Sequence, residues 1–152
     1  MSAADDHAVV ATLLGRVPDC DFVVVARDHE GSPTVIRNMP LMRDGTPMPT
    51  RYWLVGTRER VAVSRIETVG GVRAAERDID PAEIADAHAR YARERDAQVP
   101  PSHSGPRPSG GVGGTRVGVK CLHAHYAWYL AGGDDPVGRW VAARLESEHE
   151  HA

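Results

Sequence analysis

Residues 118–138 read Gly118-Val-Lys-Cys-Leu-His-Ala-His-Tyr-Ala-Trp-Tyr-Leu-Ala-Gly-Gly-Asp-Asp-Pro-Val-Gly138. At 100° per residue, one arc of a helix collects the apolar side chains Val119, Leu122, Tyr126, Tyr129 and Leu130. A thiol, Cys121, and an imidazole, His125, lie on the opposite flank, so we expect the helix to be covered on most sides. The pattern predicts a central helix over residues 119–131, ended by Gly132.

Strand and helix patterns before and after this stretch predict an α+β fold. Three short runs rich in β-branched or aromatic residues, 22–26, 34–37 and 51–55, are separated by turn residues and predict a small three-stranded antiparallel sheet. Helical spacing of apolar residues predicts four more helices, over residues 5–14, 57–69, 81–97 and 136–145. The sheet is therefore expected to be covered by about five helices.

Length and composition fit a single domain over residues 1–152. Prolines, serines and glycines dominate residues 98–117, where no apolar period is found, so this segment is predicted to be a flexible linker or lid. Residues 146–152 are predicted to form a frayed tail.

Charge and cysteine content exclude several classes of protein. The net charge of −3 and the pI near 6.2 argue against broad nucleic-acid binding. No apolar run reaches the roughly 18 residues of a membrane span, and no signal peptide opens the chain. Two cysteines, Cys20 and Cys121, do not suggest a disulfide framework. A cytoplasmic protein with reduced thiols is the expectation.

Two blocks of the chain are long and specific: Pro33-Thr-Val-Ile-Arg-Asn-Met-Pro-Leu-Met-Arg-Asp-Gly-Thr-Pro-Met-Pro-Thr-Arg-Tyr-Trp-Leu54 and Val119-Lys-Cys-Leu-His123. Further distinctive positions are Ser64-Arg-Ile-Glu67 and the spaced His88, Tyr91 and Arg95. Together these residues resemble one bacterial family, domain-of-unknown-function family five hundred and one. The resemblance covers about residues 8–142.

The resemblance implies little about activity. Members of that family are uncharacterised cytoplasmic proteins, often encoded near enolase, a septum-formation initiator protein and an exopolyphosphatase-type phosphatase. Many relatives have cysteines where this chain has Asp28 and Gly56. The resemblance therefore implies that shared chemistry rests on Cys121 and His123 rather than on a multi-cysteine metal centre.

Basic side chains on predicted inward faces suggest a pocket for a small anion, either phosphate or carboxylate. Arg37 ends a strand, His88 and Arg95 share the inward face of one helix, and Lys120 opens the central helix. Guanidinium and ammonium groups bind such anions by charge-assisted hydrogen bonds. The predicted ligand-binding residues are Arg37, Asp44, Arg95 and Lys120, and the predicted catalytic residues are Cys121, His123 and His88. The alternative is a structural salt-bridge network of the same cations with Asp44 and Glu67.

Thiol and metal chemistry are weaker alternatives. Cys121 is expected in the first turn of its helix beside Lys120, where the dipole favours a thiolate, although burial would oppose it. His123 lies some 160° from Cys121 on a regular helix, so the base would be His88 or another histidine. Cys121 is expected to be buried and Cys20 to be accessible in a loop. The paired ligands of a closed metal site are missing, so neither metal nor cofactor is expected.

Three functions remain open from sequence. The first is an uncharacterised cytoplasmic protein with a small-anion pocket. The second is a non-catalytic protein–protein interaction module, linked to cell division or the envelope, which would show an exposed apolar patch. The third is a cysteine-dependent or metal-assisted enzyme.

Overall fold

A three-stranded antiparallel sheet forms the centre of the fold in the computed structural model, which describes residues 3–150. Its strands are β1 (Phe22–Arg27), β2 (Pro33–Asn38) and β3 (Tyr52–Leu54), in the order β1-β2-β3. Ile36 of β2 pairs with Val24 on one side and Trp53 on the other. The predicted sheet and the α+β class are confirmed.

Six α-helices accompany the sheet among the described residues: α1 (Ala3–Leu14), α2 (Thr57–Thr68), α3 (Gly71–Asp78), α4 (Pro81–Asp96), α5 (Leu122–Leu130) and α6 (Pro136–Glu150). Five of them lie where helical spacing predicts them, and α3 is additional. Helix α6 continues through Glu150, so residues 146–150 are helical where composition suggests a frayed tail. Residues 151 and 152 lie outside the described part of the chain.

The two faces of β2 bury two separate cores, because neighbouring side chains on a strand point to opposite faces. Ile36 packs with Val10 of α1, and both are fully buried. Val35 belongs to the larger core, to which α2 through α6 all contribute side chains. Helix α1 therefore covers one face of the sheet, and the other five helices cover the opposite face.

Helix α3 begins where the sequence was expected to end a helix. Gly70 has φ 87° and reverses the chain after α2, as a helix-terminating glycine does. The chain re-enters a helix at once, at Gly71. A side chain at this position would collide with Ile66, so only glycine fits there. Ala75 of α3 is fully buried in the larger core.

The central helix α5 begins at Leu122 rather than at residue 119. Cys121 precedes it in an extended conformation, φ −152° and ψ 153°. Two carboxylates hold the residues before and at the helix start, since Glu76 accepts from the Val119 amide at 3.0 Å and Glu67 accepts from the Leu122 amide at 2.7 Å. Neither contact is visible as local periodicity in the sequence.

The segment 98–117 is anchored at several points. It contains a 3₁₀ turn at Val112–Gly114, and the Val112 side chain is buried in the larger core. The Val112 amide and the Ser109 carbonyl both bond to side chains of α4. The predicted flexibility of this segment stays a prediction; the contacts join residues 109–112 to α4.

Candidate functional site

Two adjoining cavities open on the surface between α2 and the start of α5. The larger has a volume of about 810 Å³ and the smaller about 280 Å³. Arg60 and His123 line both, so the two form one continuous depression, called the α2–α5 cleft below. The larger cavity is lined by Leu13, Thr57, Arg60, Val61, Ser64, Arg65, Thr68, Val69 and His123. The smaller is lined by Leu14, Thr50, Tyr52, Trp53, Leu54, Arg60, Gly113, Lys120, Cys121, His123 and Ala124.

Helix α2 supplies one wall of the cleft through residues spaced three or four apart. Thr57, Arg60, Ser64 and Thr68 follow this spacing, which places them along one face of a helix. The other face of α2 carries Val63 and Ile66, which are buried in the core. Because the apolar face of α2 is buried, the polar side chains on its other face line the cleft.

The cleft concentrates positive charge in a chain that is acidic overall. Arg60, Arg65 and Lys120 are exposed in it, and its lining includes no aspartate or glutamate. Within the described residues none of these three cations forms an ion pair closer than 4.0 Å. Arg60 is held in place because its Nη1 donates to the Leu13 carbonyl at 3.1 Å.

His123 lies between two side chains of α2, one in hydrogen-bond contact and the other at ion-pair distance. Its Nδ1 lies 3.1 Å from Oε1 of Glu67, and its Nε2 lies 3.2 Å from Oγ of Ser64. Ser64 and Glu67 are three residues apart on α2, so both reach the same ring. The side chains of His123 and Glu67 are 29% and 24% exposed, and Ser64 is exposed. The chain of contacts ends at the cleft surface.

The two cysteines differ in burial, Cys20 being the more buried of the pair. Cys20 is fully buried, and its Sγ donates to the Met39 carbonyl at 3.1 Å. Burial raises the pKa of the Cys20 thiol. Cys121 is half-buried at the position preceding α5 and lines the smaller cavity. The expectation of an accessible Cys20 is therefore wrong, whereas Cys121 is partly buried against the larger core.

His88 lies in the interior, away from the cleft lining, with both ring nitrogens bonded to backbone. Nδ1 accepts from the Val112 amide at 3.0 Å, and Nε2 donates to the Gly118 carbonyl at 2.7 Å. An amide can only donate and a carbonyl can only accept, so the ring is the neutral tautomer protonated at Nε2. Burial lowers the pKa of His88. These contacts are those of a structural histidine.

Arg95 is also structural in its contacts. It is 1% exposed, and its guanidinium donates to the Pro49 carbonyl at 3.0 Å and to Asp96 at 3.0 Å. Arg37 is half-buried on β2, opposite Tyr52 in the sheet, and lines neither cavity of the cleft. The structure therefore does not bring His88, Arg95 and Arg37 into the cleft with Lys120.

Asp44 lies in an exposed turn before β3. Its Oδ1 accepts from the Thr46 amide at 2.9 Å, and this bond lowers the pKa of the carboxyl. Of the seven residues predicted to form the site, only three line the cleft: Lys120, Cys121 and His123.

His125, the second histidine of the central helix, forms a buried pair with Asp135. Nδ1 lies 2.6 Å from Oδ2, and the two side chains are 1% and 0% exposed. The other carboxylate oxygen accepts from the Val137 amide, so Asp135 also caps α6. This pair joins α5 to α6. Among residues 3–150 no three His, Cys, Asp or Glu side chains are grouped so that they could hold a metal ion.

Sequence reasoning missed Arg60, Ser64 and Arg65 as members of the cleft. Their types are ordinary for a solvated helix face, and the contact partner of Ser64, His123, lies 59 positions away in the chain. The feature of the sequence that could have indicated this wall of the cleft is the three-residue spacing of Ser64 and Glu67, within a stretch that carries the family resemblance.

The described helices include none that is long and apolar enough to cross a bilayer. Fold and cleft together define a small α+β protein with a cationic, histidine-containing surface site. The chain belongs to DUF501, a family of proteins of unknown function whose model matches residues 24–143. No curated protein and no solved structure matches the chain.

Proposed function

We propose that this protein binds a small anion, phosphate or carboxylate, in the α2–α5 cleft. The observation that carries the proposal is the lining itself, in which Arg60, Arg65 and Lys120 are accompanied by no carboxylate. Cations gathered in a concave site raise the local concentration of anions, even when the whole molecule has a net charge of −3.

The cations are distributed over both cavities, which suits a ligand with several oxygens. Arg60 borders both cavities and is fixed by Leu13, so little side-chain freedom is lost when it binds a ligand. Lys120 borders only the smaller cavity and Arg65 only the larger. Lys120 and His123, which the sequence predicts as site residues, line this cleft. Its other cations are Arg60 and Arg65 rather than Arg37 and Arg95.

Calorimetric titration with inorganic phosphate and with acetate at low ionic strength tests the proposal. The substitutions Arg60→Gln and Lys120→Gln should each weaken binding at least about tenfold, since a charge-assisted hydrogen bond contributes about 1.5–3 kcal/mol. Phosphate should also raise the melting temperature of the wild type as its concentration increases.

Two further variants serve as controls. Arg107 is exposed in the 98–117 segment and lines neither cavity, so Arg107→Gln makes the same change of charge outside the cleft. Arg37→Gln tests the pocket predicted from sequence. Both should bind like the wild type. Equal loss in Arg107→Gln and Arg60→Gln, or no binding by the wild type, contradicts the proposal.

A further inference from the structure

The Ser64–His123–Glu67 chain has a direction, which follows from what each atom can donate or accept. Oε1 of the Glu67 carboxylate lies 3.1 Å from Nδ1 of His123, and its negative charge favours a proton on that nitrogen. In the neutral ring, Nε2 then presents its lone pair to the Ser64 hydroxyl at 3.2 Å. In this tautomer the serine donates to an imidazole whose other nitrogen lies against a carboxylate. This is the arrangement by which hydrolases activate a serine.

The carboxylate is held more firmly than a surface glutamate. Oε2 of Glu67 accepts from the Leu122 amide at 2.7 Å, while Oε1 is directed at the ring of His123 one residue later. One side chain of α2 thus both caps α5 and orients a side chain in the first turn of α5. The bond to the Leu122 amide therefore holds the Glu67 carboxylate beside the ring of His123 before a ligand arrives.

The serine is accessible to a ligand. Ser64 is exposed and lines the larger cavity, whose lining also has the apolar side chains Val61 and Val69. Arg60 precedes Ser64 by one helical turn on the same face. A molecule in the cleft therefore meets a hydroxyl, a cation and an apolar surface.

We propose that Ser64 is a catalytic nucleophile that hydrolyses a carboxylic ester carrying an anionic group. The recognition of the anionic group rests on the function proposed above, whereas the nucleophilicity of Ser64 does not. His123 is the general base and acid, Glu67 is a positioning residue, and Arg60 is placed to stabilise the oxyanion that forms on the carbonyl.

The reaction proceeds in two balanced steps. Oγ of Ser64 forms a bond to the carbonyl carbon as its proton passes to Nε2 of His123, and the alcohol leaves with that proton when its C–O bond breaks. Water then attacks the acyl carbon and gives a proton to Nε2. The bond to Oγ breaks, Ser64 regains the proton, and the carboxylic acid is released.

Labelling with an uncharged alkyl fluorophosphonate tests the nucleophile directly, because this reagent needs an activated serine but no anion site. Intact mass and peptide mapping should place one adduct on Ser64 in the wild type and none in Ser64→Ala. His123→Gln should label at least about 100-fold more slowly, the usual contribution of a general base. Ser104→Ala removes an exposed serine outside the cleft and should label like the wild type. A wild type that acquires no adduct at Ser64, or an unchanged rate in His123→Gln, overturns the proposal.

The positioning role of Glu67 is tested by a measurement that would not change if the role were purely structural. Glu67→Gln retains an oxygen that can accept from the Leu122 amide, so the start of α5 should survive. Imidazole ¹⁵N spectra should nevertheless show that His123 loses its preference for a proton on Nδ1, and labelling should slow at least tenfold. An unchanged tautomer with an unchanged rate contradicts the positioning role.

The charge of the substrate distinguishes the nucleophile at Ser64 from the anion site in the cleft. The wild type should hydrolyse 4-nitrophenyl hydrogen succinate with a higher kcat/KM than 4-nitrophenyl acetate, and Arg60→Lys should reduce that ratio. Labelling of Ser64 without phosphate binding would reject the anion site and keep the nucleophile. Phosphate binding without labelling of Ser64 would reject the nucleophile and keep the anion site.

Discussion

His88 shows how a buried polar side chain stabilises this fold without entering the surface cleft. Both ring nitrogens are bonded, one to the Val112 amide and the other to the Gly118 carbonyl. A protonated ring could no longer accept from Val112, and burial also disfavours the charge, so the pKa of His88 is lowered. The neutral ring is therefore part of the folded structure.

Stability should consequently fall as the solution is acidified below about pH 6.5, the usual pKa of histidine. The unfolded chain binds a proton at His88 in this range while the folded chain resists it, and one such group contributes at most about 1.4 kcal/mol per pH unit. Urea unfolding between pH 7.5 and pH 5 measures this slope. His88→Asn retains an acceptor for Val112 and should give a shallower slope, together with a loss of about 1–3 kcal/mol at pH 7.5 because Gly118 loses its donor.

The lowered pKa values of Asp6, Asp44 and Asp78 do not confuse this measurement, since these carboxyls titrate from about 3.8 downward. An unchanged slope in His88→Asn would show that His88 is not the group responsible.

Single residues also show that the sequence predicts burial but not the partner of a buried group. The inward position of His88 and Arg95 on α4 follows from helical spacing, and the structure confirms that both are buried. Their partners are backbone groups of irregular segments, which have no periodicity to predict from. A polar residue on an inward face therefore suggests a pocket when the partner is unknown. Ser64 is the opposite case, because it is unremarkable until the fold brings His123 to it.

At the scale of elements, α4 connects two loops to the sheet through hydrogen bonds. His88, Tyr91 and Arg95 are spaced three and four residues apart, so they form one row along the helix. The Tyr91 hydroxyl accepts from the amides of Arg51 and Tyr52 at 2.5 and 3.1 Å, at the start of β3. Burial raises the pKa of Tyr91, so the hydroxyl stays protonated at physiological pH.

Removing that hydroxyl should loosen β3. Tyr91→Phe leaves two buried amides without their acceptor and should lower the free energy of unfolding by about 2–4 kcal/mol. Amide hydrogen exchange at Arg51 and Tyr52 should accelerate in the same variant. Tyr126→Phe provides the matched control, because within residues 3–150 no hydrogen bond to the Tyr126 hydroxyl is found. A similar loss in both variants would mean that the effect comes from removing a tyrosine hydroxyl in general rather than from the two unpaired amides.

Helix boundaries were predictable only where local signals control them. Asp80 accepts from the Ala82 amide and Pro81 follows it, so the start of α4 agrees with its sequence pattern. The start of α5 depends instead on Glu67 and Glu76, which are far away in the chain. Helix α3 was missed because paired glycines usually end a helix, whereas here the second glycine permits close packing.

At the scale of the whole molecule, the fold separates two sets of basic and imidazole groups. One set, on α4, is buried and bonded to backbone, and the other set opens to solvent in the α2–α5 cleft. The sheet and its five predicted helices could be inferred from periodicity alone. Which set forms the site could not, because this depends on how α2 meets the start of α5.

Long-range ¹H–¹⁵N spectra of the histidine rings at pH 8, with and without phosphate, test this separation most directly. Signals are assigned with His88→Asn and His123→Gln. His88 should appear protonated at Nε2 and should not respond to phosphate, because its nitrogens are bonded to Val112 and Gly118. His123 should appear protonated at Nδ1 and should shift as phosphate enters the cleft. Phosphate-dependent shifts at His88, with His123 unchanged, would contradict the placement of the site in the α2–α5 cleft.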